Sequence, residues 1–135
     1  MQMNIRYLDG KRFEAQTRGH SVISDQPLDD NGMDTGMTPP ELLLASLGTC
    51  AGYYAEEYMR ARMLPAHGLE LHVEGVKGGH PLRIVAFKIL VSAHGLNDRH
   101  REGLRRAVET CLVHRTLLSG TPAEIEVDVS APVAV

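Results

Sequence analysis

The 135-residue chain contains no tryptophan, two phenylalanines and only two cysteines. Two cysteines cannot build the disulfide framework that holds small secreted domains together. The sequence also lacks an apolar run of the roughly 18 residues that a membrane-spanning helix requires, and no run of Lys or Arg exceeds two residues. With a net charge of −3, the chain is expected to bind neither nucleic acid nor an anionic membrane surface.

Targeting and metal-binding signals are missing as well. The N-terminal segment has no basic stretch followed by an apolar core, so we expect no signal peptide and a cytoplasmic protein. The seven histidines contain no HxxxH or HxH pair, and the usual zinc spacings do not occur, so no structural metal is expected. At this length the chain is expected to form one domain, residues 1–135, with its own core.

Short segments with strand-like alternation lie on both sides of a long helical segment. The first three are separated by turn residues such as Asp9-Gly10 and predict a hairpin or meander. The loop over residues 25–37 is rich in aspartate, Asp25 included, and is interpreted as a solvated loop because its spacing does not fit an EF-hand. The predicted strands are 4–8, 12–16, 20–25, 68–76, 82–93 and 123–131.

Residues 38–63 carry the signals of one long helix. Thr38 suits the N-cap, Pro39 suits the first helical position, and Glu41 completes a capping box with Thr38. Residues 42–54 carry almost no charge, which predicts a central helix that is buried on most sides. Three or four strands offer too little surface to cover such a helix, so we expect a second subunit in a two-fold dimer.

A second helix is predicted to begin near Asn97. It would place four residues on one buried face: Leu104, Val108, Cys111 and Leu112. Together with the strands, this gives the element order β-β-β-α-β-β-α-β. That order indicates an α+β domain in which antiparallel strands surround the long central helix.

The two cysteines lie 61 residues apart on predicted apolar helix faces, Cys50 at the end of "TPPELLLASLGTC" and Cys111 in the second helix. Free cysteines are commonly buried and inert, so both could be core filler. Alternatively they form a redox couple, and then a nearby cation must stabilise one thiolate. The arginines available for this are Arg18, Arg101, Arg105, Arg106 and Arg115.

Two motifs resemble those of the OsmC/Ohr family, which comprises osmotically induced protein C and the organic hydroperoxide resistance proteins. The motifs are "TPPELLLASLGTCAGYY" and, beginning at Cys111, "CLVHRTL". Residues 24–50 are especially similar to the OsmC-like branch. The resemblance extends over roughly residues 20–130 and includes the order of the elements.

The resemblance implies an OsmC-like intertwined α+β homodimer that works as a thiol-dependent peroxidase without metal, haem or flavin. Cys50 would be the peroxidatic cysteine that attacks an organic hydroperoxide or hydrogen peroxide. Cys111 would be the resolving cysteine, and an external dithiol reductant would reduce the resulting disulfide. The family also uses a glutamate, matched here by Glu41, and an arginine, for which Arg18 is the best candidate.

The sequence departs from the family pattern at two points. Leu112 follows Cys111 where family members commonly have proline, which loosens the expected turn. Glu41 lies nine residues before Cys50, which would place the two on opposite sides of an ideal helix. Glu41 is then either a helix cap alone or part of a site in the partner subunit. These departures leave a second interpretation open, a binding module for a small apolar ligand or a thiol compound that keeps the fold without efficient catalysis.

Overall fold

Residues 1–129 are described by a computed structural model, and they form an α+β chain with antiparallel strand pairing. Three strands form one sheet in the order β1-β2-β3, and β4 and β5 form a second sheet. The elements are β1 (Asn4–Asp9), β2 (Arg12–Thr17), β3 (His20–Ser24), α1 (Pro39–Ala61), β4 (Glu70–Gly78), β5 (Arg83–Ser92), α2 (Asp98–Glu109) and α3 (Leu112–Leu118). The predicted fold class is confirmed, and five of the six predicted strands form within two residues of their expected bounds.

The long helix α1 begins at Pro39, as predicted, and ends at Ala61. The hydroxyl of Thr38 accepts a hydrogen bond from the amide of Glu41, and the side chain of Glu41 accepts one from the amide of Thr38. The predicted capping box is therefore confirmed. Among the described residues, no helix combines the length and the apolar character needed to cross a membrane.

One stripe of α1 forms the core of the chain. Its buried side chains are four residues apart: Leu47, Ala51, Ala55 and Met59. Ala51, Ala55 and Met59 pack with Leu104 and Val108 of α2 and with half-buried residues of β4 and β5. Each buried side chain of leucine or methionine size contributes about 1.5–3 kcal/mol. Tyr53, on another side of α1, is 59% exposed. The expectation that α1 is buried on most sides is wrong for the single chain, because α2, α3 and the β4-β5 sheet cover only part of it.

Two glycines of α1 let β4 approach the helix closely. A Cβ atom at Gly48 would lie 2.9 Å from Val73 Cγ2, and one at Gly52 would lie 3.3 Å from Leu71 Cδ1. A larger residue at Gly48 would push the sheet away from the helix. The two glycines therefore set how closely the sheet packs on the part of α1 that carries Cys50.

The N-terminal sheet has one largely polar face, which also carries Ile23, and one largely apolar face. On the polar face, Glu14 forms an ion pair with Arg6 at 2.5 Å and accepts a hydrogen bond from Ser21 at 2.8 Å. The strand register places five residues on the other face, which we call the apolar N-terminal face: Ile5, Tyr7, Phe13, Ala15 and Val22. All of them except Ala15 are exposed, because this sheet packs mainly within itself and not against α1 or the β4-β5 sheet.

The predicted second helix is interrupted at Thr110. α2 ends at Glu109, and Cys111 is the N-cap of α3 with an extended ψ of 130°. Leu112 is 59% exposed, so its predicted place on the buried face is wrong, whereas Cys111 is fully buried. The Thr110 hydroxyl donates to the carbonyl of Ala107 at 2.6 Å, which satisfies the last turn of α2 and favours its end there.

The predicted C-terminal strand does not form. Residues 121–129 have no strand structure, and residues 130–131 of the prediction lie outside the described residues. The alternation that suggested a strand leaves Ile125, Val127 and Val129 exposed at 84%, 79% and 87%. A strand requires a hydrogen-bonded neighbour, and in the described part of this chain neither sheet includes the segment.

Asp25, expected in a solvated loop, is instead fully buried. Its carboxylate accepts hydrogen bonds from the hydroxyl and amide of Thr35 at 2.7 and 3.1 Å. The amides of Gln26 and Met33 donate to it at 2.7 and 3.3 Å. The hydrogen bond from the Thr35 hydroxyl, supported by the amides, lowers the pKa of Asp25 from 3.8 to about 2. One carboxylate thus organises the loop that leads into α1.

Replacing Asp25 by Asn is expected to lower the melting temperature at neutral pH by roughly 5–10 °C, because an amide cannot accept all of these hydrogen bonds. The pKa of Asp25 is lower in the folded than in the unfolded state. Its contribution is therefore present above about pH 4 and is lost as the pH falls toward about 2. Thermal denaturation across this range should show the difference between wild type and variant shrinking. A constant difference would contradict this role, and Asp29→Asn at an exposed position of the same loop is the control.

Candidate functional site

The two cysteines meet where α1 and α3 pack together. Cys50 is half-buried on α1, and Cys111 is fully buried at the start of α3. The Cys50 side chain is close enough to act on the ionisation of Cys111 through a hydrogen bond, and both residues are free thiols. The single chain thus brings its only two thiols together. No cluster of three or more potential metal ligands occurs among residues 1–129.

Cys111 holds its proton more firmly than an ordinary cysteine. Burial raises the pKa of Cys111, and the neighbouring Cys50 raises it further, while the backbone amides of His114 and Val113 act in the opposite direction. A thiol in such surroundings is a poor nucleophile by itself. It keeps its proton until it forms a bond to another sulfur atom. The two thiols therefore differ in kind: Cys50 is partly accessible, and Cys111 is shielded and protonated.

Glu41 serves as the capping-box carboxylate at the start of α1. Its Oε2 accepts from the Thr38 amide at 2.8 Å, and its own amide donates to the Thr38 hydroxyl at 3.4 Å. Within residues 1–129, no other hydrogen bond of the Glu41 side chain occurs, and Glu41 is therefore not joined to Cys50 or Cys111. In the single chain Glu41 has a structural use, and its catalytic role stays a prediction.

Arg18 occupies the turn between β2 and β3, where it adopts a φ of 49° beside Gly19. The residue is exposed, and the described part of the chain contains no ion pair between Arg18 and Glu41. Its assignment as the activating arginine therefore also stays a prediction. Three of the four arginines of α2 are paired with carboxylates of the same helix: Arg101 with Asp98, Arg105 with Glu102 and Glu109, and Arg106 with Glu102.

An open groove of about 710 Å³ between β5 and α2 approaches the thiol pair. Leu47, one helical turn before Cys50, and Val108, one turn before Cys111, form part of its wall. We call it the apolar groove, since most of the remaining wall is apolar, including Phe87, Ile89, Val91, Leu96 and Leu104. The sequence did not reveal this groove because distant segments form it. The sequence signal that could have indicated the groove was the alternation of apolar residues in β5 together with the apolar stripe of α2.

Solved structures share this fold over most of the chain. A protein from Psychrobacter arcticus whose name refers to osmotic stress induction and a detoxification response has a TM-score of 0.79 at 22% identity, with 86% of this chain and 87% of that chain covered. An OsmC-like protein from Mycoplasma pneumoniae has a TM-score of 0.75 at 18% identity, with coverages of 87% and 86%. An organic hydroperoxide resistance protein, OsmC, from Legionella pneumophila has a TM-score of 0.61 at 17% identity, with coverages of 87% and 89%. At these identities the likeness establishes the fold alone.

The family assignment comes from the sequence. No curated protein sequence matches the chain. The family described as OsmC-like protein matches residues 32–126, a range that contains α1, both cysteines and the β4-β5 sheet. Because this match extends over more than half of its length, the chain belongs to the family of OsmC-like proteins.

Proposed function

We propose that this protein is a thiol-dependent peroxidase that reduces organic hydroperoxides, with hydrogen peroxide as a further substrate. The observation that carries the proposal is the proximity of the half-buried Cys50 to the buried, protonated Cys111. Membership of the OsmC-like family and the likeness to a protein named for organic hydroperoxide resistance support a redox role linked to peroxides.

The proposed reaction begins at Cys50. Its thiolate attacks the terminal oxygen of the hydroperoxide, the O–O bond breaks, and Cys50 becomes a sulfenic acid. The alkoxide that leaves takes a proton from water and is released as the alcohol. The Cys111 sulfur then attacks the Cys50 sulfur, and the Cys111 proton leaves with the hydroxyl group as water. This forms a Cys50–Cys111 disulfide. An external dithiol reduces it by thiol–disulfide exchange and is itself oxidised.

The surroundings of the thiols suit this order of events. The raised pKa of Cys111 keeps its proton in place until the sulfenic acid forms, and its burial shields it from direct oxidation. The apolar groove would hold the organic part of the substrate, since Leu47 and Val108 bring its wall to within a helical turn of each thiol. Cys50 is therefore the peroxidatic residue of this proposal, and Cys111 the resolving one.

We also propose that the working protein is an intertwined homodimer in the cytoplasm. In the single chain the apolar N-terminal face and Tyr53 of α1 are exposed. A three-stranded sheet gains independent stability by packing its apolar face, and a second copy would supply the surface. In this arrangement Arg18 or Glu41 would approach the thiol pair of the other subunit, since within residues 1–129 neither residue bonds to the pair of its own chain.

Oxidation by one equivalent of cumene hydroperoxide tests the proposal. The reduced protein should become about 2 Da lighter as two thiol hydrogens are lost, and digestion should release a peptide pair joined through Cys50 and Cys111. The measurement is mass spectrometry under non-reducing conditions. A product that gains oxygen at Cys50 without forming this disulfide would refute the resolving role of Cys111.

A second function is favoured by one observation. Leu112 stands where family members commonly have proline, and it is exposed. The backbone at the start of α3 therefore lacks the restricted φ that a proline would impose. The chain would then be a binding module that holds a small apolar ligand or a thiol compound in the apolar groove. Saturable binding of an apolar fluorescent probe, with unchanged thiols after hydroperoxide treatment, would favour this function over the peroxidase.

Glu41→Gln separates the helix cap from the proposed catalytic role. Glutamine retains an acceptor at the third helical position, so the free energy of unfolding should change by less than about 1 kcal/mol. The kcat/KM for hydroperoxide should fall by about a hundredfold, because a neutral amide no longer orients the activating arginine. Steady-state turnover with dithiothreitol and thermal denaturation provide the two readouts. Wild-type turnover in the variant would leave Glu41 as a cap alone.

A further inference from the structure

A second groove, lined by basic side chains, lies along a different face of α2. It has a volume of about 790 Å³ and is formed between α2 and the C-terminal half of α1. We call it the basic groove and define it by the basic and aromatic side chains of its wall: Tyr58, Arg62, Arg99, His100 and Arg106. Neither cysteine contributes to this wall, so the basic groove is separate from the thiol pair.

The charges of the basic groove are unbalanced, although the whole chain is acidic with a net charge of −3. Three guanidinium groups face a single carboxylate, that of Glu102. Glu102 is already ion-paired with Arg105 at 2.7 Å and with Arg106 at 3.2 Å, and these two arginines hold its pKa at about 2. Within residues 1–129, Arg62 and Arg99 have no carboxylate partner. The groove therefore presents unpaired positive charge.

The floor of the groove holds its donors in place. Gly103 makes room for Tyr58, since a Cβ atom at that position would overlap the Tyr58 hydroxyl. This hydroxyl lies 3.3 Å from His100 Nδ1, and the Arg62 guanidinium lies 3.7 Å from the centroid of the Tyr58 ring. The Arg62 Nη1 also donates to the Tyr58 carbonyl at 3.2 Å. A cation fixed on an aromatic ring is preorganised for an incoming anion.

We propose that the basic groove binds the phosphate group of a small molecule. Guanidinium groups present paired N–H donors that match phosphate oxygens, and they stay charged at any physiological pH. Arg62, Arg99 and Arg106 supply these donors, and the Tyr58 hydroxyl supplies a neutral one. The volume lies within the range of about 300–1,000 Å³ usual for small-molecule sites, so that a phosphate monoester fits as well as inorganic phosphate.

Calorimetric titration of the full-length protein at constant ionic strength tests the site. The probes are inorganic phosphate and phenyl phosphate, and acetate is the control for a simple negative charge. We expect saturable binding of both phosphates and none of acetate. A tighter fit of phenyl phosphate identifies a phosphorylated molecule as the ligand, and a tighter fit of inorganic phosphate identifies the free anion. Absence of saturable binding, or equal binding of acetate, overturns the proposal.

Two substitutions should move the affinity in opposite directions. Arg106→Gln removes a guanidinium and should weaken phosphate binding by about tenfold, whereas Glu102→Gln removes the opposing carboxylate and should tighten it by about threefold. Arg101→Gln, on the face of α2 toward the apolar groove, is the matched control and should leave the affinity unchanged. Thermal denaturation verifies that each variant is folded. If Glu102→Gln weakens binding, or if the control weakens it as much as Arg106→Gln, the proposal is overturned.

The site does not depend on the proposed peroxidase activity. Tyr58→Phe removes one donor and keeps the ring on which Arg62 rests, and it should weaken phosphate binding by about threefold without changing the oxidation of Cys50. A protein that binds phosphate but is inert to hydroperoxide would refute only the peroxidase proposal. A peroxidase that binds no phosphate would refute only the proposal for the basic groove.

Discussion

Replacing Cys50 by Ser is expected to lower kcat/KM for an organic hydroperoxide by at least about a thousandfold. A serine hydroxyl stays protonated near neutral pH and cannot pass through a sulfenic acid, so the first step of the proposed reaction has no nucleophile. The measurement is the initial rate of hydroperoxide consumption with excess dithiothreitol. Turnover of the variant within tenfold of wild type would show that the reaction does not begin at Cys50.

Cys111→Ser is the matched control, because the same sulfur-to-oxygen change is made at the other member of the pair. This variant should still consume one equivalent of hydroperoxide in a single turnover, since Cys50 is intact. Its sulfenic acid should then persist and become trapped by dimedone, because no neighbouring thiol resolves it. If Cys111→Ser fails to consume the first equivalent, the division of roles between the two thiols is wrong.

The parts of the fold that follow from neighbouring residues were predictable. The capping box formed by Thr38 and Glu41 depends on four consecutive positions, and it starts α1 where the sequence indicates. The first strands are likewise bounded by local turn residues, such as Gly10 with its positive φ of 49°. Such features need no information about the rest of the molecule, which is why the sequence pattern was sufficient for them.

The errors occur where distant residues decide the structure. Asp25 is buried because Thr35, ten positions later, donates both its hydroxyl and its amide to the carboxylate, and a composition rich in aspartate does not reveal this. The C-terminal alternation of Ile125 and Val127 predicts a strand, but no strand of the described chain pairs with it. The break at Thr110 is not predictable from the helical period, because the buried Cys111 that follows it also fits an uninterrupted helix.

The candidate site was predictable only in part, and for the same reason. Motif resemblance selected Cys50 and Cys111, and the packing of α1 with α3 brings them together. Glu41 was matched by the same motif, and Arg18 was chosen as the family's arginine without a local motif to align it. In one chain the first caps a helix and the second lies in an exposed turn. The exposed apolar N-terminal face provides a physical reason to look for their missing partners in a second subunit.

The paired substitution Ile5→Lys and Val22→Lys is expected to convert a homodimer into monomers, weakening self-association by at least about a thousandfold. Both residues lie on the apolar N-terminal face and are 60% and 37% exposed in the single chain, so the lysines are tolerated by the monomer. At a dimer interface two ammonium groups would be buried without partners, which costs several kcal/mol. Sedimentation velocity across a range of protein concentrations measures the change.

Leu82→Lys is the control for this substitution, because Leu82 is 75% exposed in the turn between β4 and β5, outside the apolar N-terminal face. It should leave the dimer intact. If Arg18 or Glu41 completes the thiol site of the other subunit, the monomeric double variant should also lose most of its hydroperoxide turnover while its melting curve remains cooperative. A monomer with full turnover would mean that one chain holds a complete site. The proposal that Arg18 and Glu41 act across the interface would then be wrong, even if the dimer itself were real.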